Sequence, residues 1–157
     1  MYRKAINMKK NNVNLILILP FLVGITNLCY AQSLGDKKEG GIIYYIYQSG
    51  DQGYKEGETH GLIAAENNIK DYAKDSFSWE DAKGKCAALG VGWYLPNKDE
   101  LYKLYKVKDK VGGFSSGIYC SSSEDDVGGA FFILFYDGFQ GNNFDNLSFY
   151  VRAVRTF

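Results

Sequence analysis

The sequence predicts an α+β domain in which two short helices pack on an antiparallel β-sheet with long loops. Three observations predict it. Two capped amphipathic helices lie mid-chain, opening at Ser78 and Asn97. Runs of β-branched and aromatic residues flank them, at Ile42–Tyr47 and Ala130–Tyr136. Asp137-Gly138, a hairpin turn signal, follows the second run directly.

In chain order, a leader comes first. Arg3, Lys4, Lys9 and Lys10 precede an apolar run from Val13 to Leu28, and Cys29-Tyr30-Ala31 supplies a small residue at each key cleavage position. A basic start, an apolar middle and an A-x-A-like end describe a secretory signal peptide over residues 1–31. Met8-Lys9-Lys10 would serve equally as a start. The run is interrupted by Asn14, Pro20, Gly24 and Thr26, whereas a spanning helix needs about 20 apolar residues. Export to the periplasm, cell surface or extracellular space is therefore expected, with no membrane span after cleavage. The chain carries 18 basic and 18 acidic residues, and loss of the leader's basic residues turns that balance acidic. Nucleic-acid binding, which rests on neutralising phosphates, is not expected.

Residues 32–39 are polar and read as a loose arm; residues 40–157 read as one domain. Gly40-Gly41 opens the strand Ile42–Tyr47, and Gly61–Ala65 reads as a second, buried strand. Ser78 caps the first helix with Asp81 in the capping-box position, and Trp79, Ala82, Cys86 and Leu89 recur at helical spacing as its buried stripe. Gly90 ends it. Asn97 caps the second helix with Glu100 reciprocal, and Leu101, Leu104 and Tyr105 form its core stripe. Gly117–Ser121 is the next strand. Ala130–Tyr136 is almost wholly apolar, so it should be central and covered on both faces. Phe149–Arg155 is the last strand.

The order of these pieces carries a resemblance. Gly41–Tyr45, His60–Ala65, Trp79 with Ala82 and Cys86, Trp93-Tyr94-Leu95-Pro96 with Glu100-Leu101, Gly113–Gly117, Ser121–Glu124, Asp137-Gly138 and Val151–Arg155 stand in sequence. Together they resemble the family of bacterial domains, of unknown function, named for the C-terminal domain of the Legionella collagen-like adhesin. The resemblance covers essentially all of the chain after the leader. It implies a C-type lectin-like fold, a secreted or surface role and, for the adhesin, binding of sulfated glycans. Cys120 stands where that family usually has Trp. The Glu-Pro-Asn and Trp-Asn-Asp pattern of calcium-dependent sugar binding is absent, with only Pro96-Asn97 echoing it.

The residues that bear on chemistry are few. Tyr136, Phe139 and Phe144, with Asn142, Asn143 and Asp145, place aromatics beside amides in the late loops, a composition that suits sugar rings or a packed loop. Trp79, Trp93 and Pro96 read as scaffold. Arg152 and Arg155 fall on opposite faces of the last strand, and one is expected to pair with Glu124 or Asp137 inside the fold. Lys98, Lys103, Lys106, Lys108 and Lys110 form a basic run that reads as a solvated surface or as a site for acidic polysaccharide.

Glu124-Asp125-Asp126, with Asp137, Asn142, Asn143, Asp145 and Asn146, offers oxygen ligands for calcium but fits no EF-hand spacing. No cofactor is expected; calcium is the one ion these residues allow. Thr59-His60-Gly61 offers no catalytic motif context, and Ser121–Ser123 lacks a nucleophile elbow, so no enzyme activity is expected. Cys86 and Cys120 leave two outcomes open. One is a disulfide closing a loop of about 35 residues, worth about 3–4 kcal/mol. The other is two buried thiols acting as small hydrophobes. The function expected is an exported, non-enzymatic binding domain for a glycan or surface ligand; the alternative is an envelope assembly module, with a homo-oligomer compatible with either.

Overall fold

A computed structural model describes residues 31–71, 74–126, 128–143 and 147–157, and of Asn143 only the backbone. The leader before Ala31, and Phe144, Asp145 and Asn146, lie outside the described residues. Seven strands and three helices form among the described residues: β1 (Lys37–Lys38), β2 (Gly41–Ile46), β3 (Gly61–Ala65), α1 (Trp79–Ala87), α2 (Lys98–Lys106), α3 (Lys108–Val111), β4 (Ile118–Glu124), β5 (Ala130–Leu134), β6 (Gln140–Asn143) and β7 (Val154–Thr156). The architecture is α+β, with two antiparallel sheets rather than the single sheet expected. One has the order β1-β2-β3-β7 and the other β4-β5-β6.

β3 is buried at every residue and pairs on both sides, Ile63 lying between Ile43 and Arg155. This is why Gly61–Ala65 carries no polar side chain. The β2–β3 register shifts between Ile43 and Tyr45. A bulge there turns two successive residues inward, and Ile43 and Tyr44 are both buried. The expected loose arm is tied down at its end: Lys37 and Lys38 pair with Ile42 and Gly41, and the Gly35 amide donates to the Ile43 carbonyl.

α1 starts at the predicted cap, the Ser78 hydroxyl accepting from the Asp81 amide without the reciprocal bond of a capping box, and it buries Ala82 and Cys86. Leu89 does not belong to that buried stripe. The helix ends at Ala87, so helical spacing no longer applies two residues later, and Leu89 is 49% exposed. α2 has the full capping box between Asn97 and Glu100. It serves both sheets. Leu104 packs with Tyr44, Leu62 and Val154 of the first, and Leu101 packs with Tyr119 and Ile133 of the second. α3 has no counterpart in the sequence reading; its start has no side-chain cap.

In the second sheet, β4 runs on to Glu124 instead of stopping at Ser121. β5 is central, as its apolar sequence predicts, but it ends at Leu134, and Phe131, Phe132 and Leu134 stay partly exposed. The hairpin turn falls at Asp137-Gly138 as expected, with the Leu134 amide donating to Phe139. Gly138 has φ +86°, and a Cβ there would meet the Tyr105 ring at 2.6 Å, so glycine lets the turn rest on α2.

Phe149–Arg155 is not one strand. Phe149 bridges Phe77, Tyr150 bridges Tyr119, and only Val154 onward joins the first sheet. Between them the carbonyls of Val151 and Ala153 accept from Ile69 and Ala65. The segment thus crosses from one sheet to the other through the core, which explains why Val151, Ala153 and Val154 are all buried.

Candidate ligand-binding cleft

The register of the β5–β6 hairpin determines which side chains can act together. Phe131 pairs with Asn142, and Phe132 pairs with Gly141. Directly paired residues share a face of an antiparallel ladder. The Phe132 ring covers Gly141, where a Cβ would sit 2.7 Å from it, and it approaches Phe139 and Phe149. The other face carries Phe131 and Asn142 toward the start of α2. There, Lys98, Asp99, Tyr102, Phe131, Gln140, Gly141 and Asn142 line a cleft of about 590 Å³. Sites for small molecules usually run about 300–1,000 Å³, so the size fits one.

The walls are aromatic and amide. Tyr102 is 41% exposed on one side. Phe131 lies on the other, with the Lys98 ammonium 5.1 Å from its ring centroid. The Asn142 amide nitrogen donates to Asp125 at 2.5 Å, which leaves the Asn142 carbonyl oxygen as an acceptor. At the helix start, the Lys98 amide donates to the Ser123 hydroxyl, and the Asp99 and Glu100 amides donate to the Asn97 side chain. Those amides are therefore committed to capping.

The late-loop residues expected to form one site are separated. Asn142 lines the cleft. Phe139, 60% exposed, contacts Phe132 on the opposite face of the hairpin. Tyr136, 76% exposed, borders a second hollow with Lys108, Phe114 and Ser115. The cause is the two-residue alternation of a strand, compounded by the turn. Tyr102, Phe131, Gln140 and Asp99 were missed as site residues because α2 and the hairpin lie far apart in sequence; Lys98 was named only as part of the basic run. The Asp137-Gly138 signal could not have found the pairing, since a two-residue turn there would set Phe131 opposite Phe144, whereas the loop spans residues 135–138 and sets it opposite Asn142.

The basic run does not converge on the cleft. Lys103 sits 3.9 Å above the Tyr45 ring; Lys108 sits 4.4 Å above Tyr105 and donates to the Phe135 carbonyl. Of the scaffold residues, Trp79 donates to the Ser121 carbonyl, and Trp93 lies under Arg155. The buried Pro96 accepts from the Ser122 amide. The Ser121 and Ser123 hydroxyls accept backbone amides from Ser123 and Lys98.

The expected arginine–carboxylate pairs are corrected. Glu124 pairs with Lys83 at the surface, and Asp137 accepts from the Phe139 amide. Arg155 reaches Glu39 at 2.9 Å. Arg152 is 1% exposed and donates to Asn68 and to the carbonyls of Ala65, Glu66, Gly112 and Gly113, with the Phe114 ring 4.0 Å away. Burial lowers its pKa to about 10, still charged at neutral pH. The carbonyl oxygens, not a carboxylate, compensate the charge.

Cys86 and Cys120 meet in one core cluster as free, buried thiols, the second of the two outcomes left open. Burial pushes both up to about 12. His60 bonds Glu58 at 2.5 Å and the Phe157 carbonyl at 3.3 Å, and that bond holds the Glu58 carboxyl below its ordinary range. The acidic turn is closed on itself, Asp125 accepting from the Gly129 amide. Among the described residues, no group of three or more His, Cys, Asp or Glu is placed to hold a metal ion, and no helix is long and apolar enough to cross a membrane. No protein-family model matches the chain, and no curated protein matches it either.

Proposed function

We propose that the chain is an exported, non-enzymatic binding domain of C-type lectin-like fold that recognises a glycan or surface ligand. The single observation that carries this reading is the cleft of Tyr102, Phe131, Gln140 and Asn142, which sets aromatic rings beside side-chain amides. Sugar rings present apolar faces to aromatics and hydroxyls to amides. Two helices against antiparallel sheets, with β7 returning beside β3, support the fold assignment. The basic and apolar leader supports export. A glycan array probed with the purified exported protein tests the reading. Hits that weaken at least tenfold with Tyr102→Ala and with Gln140→Ala support it, and hits indifferent to both variants count against the cleft.

One observation favours a second reading, an envelope assembly module. Tyr136 and Phe139 are exposed aromatics outside the cleft. In that case the protein forms concentration-dependent oligomers in sedimentation, and Phe139→Ala dissolves them.

A further inference from the structure

Building on the glycan reading above, we propose that the cleft between α2 and the β5–β6 hairpin selects neutral sugar polymers over acidic ones. Sulfate and carboxylate groups only accept hydrogen bonds, so a site for them must supply donors and positive charge. This cleft supplies neither in excess. Among the described residues that line it, Lys98 is the one cation, and Asp99 beside it is of opposite charge. A second carboxylate, Asp125, holds the Asn142 amide nitrogen.

The start of a helix is the usual source of anion-binding amides. Here the Lys98 amide is held by Ser123, and the Asp99 and Glu100 amides by Asn97. Of the other lysines nearby, Lys103 lies on Tyr45 and Lys108 on Tyr105 and the Phe135 carbonyl, while Lys106, one turn beyond Tyr102, is exposed and is not among the lining residues.

The groups that remain suit hydroxyls. The Asn142 carbonyl oxygen and the Asp99 carboxylate accept O–H donors, and the Gln140 amide does both. Phe131 and Tyr102 supply apolar walls for the faces of the rings. Lys98 lies 5.1 Å from the Phe131 centroid as a cation–π partner, and the Asp99 carboxylate beside it offsets its charge.

Calorimetric titration of the purified exported protein decides the matter. The neutral probes are hexamers of glucose (α- and β-linked), mannose and N-acetylglucosamine; the acidic probes are oligogalacturonate and a heparin hexasaccharide. At least one neutral hexamer should bind about tenfold tighter than either acidic probe, with affinity changing less than about threefold between low and high salt. Asp99→Asn should narrow the margin against the acidic probes, because it removes the carboxylate beside Lys98. Tighter binding of an acidic probe, or a margin that Asp99→Asn leaves unmoved with the thermal melt unchanged, overturns the selectivity while leaving the glycan reading standing. Silence from every probe overturns both.

Discussion

The segment Phe149–Phe157 and the β5–β6 hairpin are both short, aromatic-rich and late in the chain, yet they have opposite fates. The first is threaded between two sheets, with Val151, Ala153 and Val154 buried and Arg152 buried beside them. The second keeps one face in contact with a cleft, and its turn exposes Tyr136 and Phe139. The difference lies in what the surroundings offer. Around Arg152, four backbone carbonyls and an Asn68 oxygen are within reach, so a charge is tolerated in the core. Around Phe131 there is a gap between helix and sheet, so an aromatic remains half-open. Composition alone separates neither case.

The comparison breaks most decisively at Arg152. Arg152→Ala removes the donors and strands several buried carbonyls, at a cost of about 3–5 kcal/mol. Arg152→Lys should recover little, since an ammonium cannot span carbonyls on two segments and the Asn68 side chain as well. Urea denaturation measures both; a loss below about 1 kcal/mol would mean the clamp is ornamental.

A smaller effect tests the core side through pH. Cys86 and Cys120 are raised from an ordinary 9.0 to about 12, and burial raises Tyr44 and Tyr94 too. The folded state therefore holds these protons more tightly than the unfolded chain. Their stabilisation is complete below about pH 9 and is lost as pH rises toward about 12. The urea midpoint should fall across that window, and the native thiols should resist iodoacetamide at neutral pH. A level midpoint, or fast native alkylation, contradicts the burial.

Asn97 sharpens the site side. Asn97→Ala frees the Asp99 and Glu100 amides at the mouth of the cleft and costs about 1 kcal/mol of stability. Acidic oligosaccharides should bind the variant better than the parent, which calorimetry can read. The smallest effect is expected at Tyr136. Its exposure predicts that Tyr136→Ala shifts stability by no more than about 0.5 kcal/mol, and its place outside the cleft predicts unchanged sugar affinity. A large loss of affinity would return the late turn to the site.

Local grammar was legible in the sequence. Ser78 with Asp81, Asn97 with Glu100, and the Asp137-Gly138 turn act within a few residues of themselves, so their roles follow from spacing. Leu89 failed because periodicity predicts a face only while the helix lasts. The carbonyl partners of Arg152 have no signature at all, since every residue has a carbonyl and only the fold decides which converge. The division into two sheets was hidden for a related reason. Phe149–Arg155 has strand composition throughout, but the core crossing between Tyr150 and Val154 is a tertiary event. Of the cleft, Asn142 was visible among the late aromatics and amides, and Lys98 as part of a basic run. Asp99 and Tyr102 read as an ordinary helix surface, and Phe131 as strand core.

The Arg152 clamp also orders events in time. It ties Ala65 and Glu66 to Gly112 and Gly113, segments synthesised well before the guanidinium that joins them. β3 likewise waits for β7 as its second neighbour. During translation those carbonyls stay hydrated and β3 has only β2 beside it. Closure of the domain thus follows synthesis rather than accompanying it, in keeping with the slow folding of chains whose contacts are remote in sequence. For the exported protein proposed above, that delay keeps the nascent chain threadable through a secretion channel until its last strand has been made.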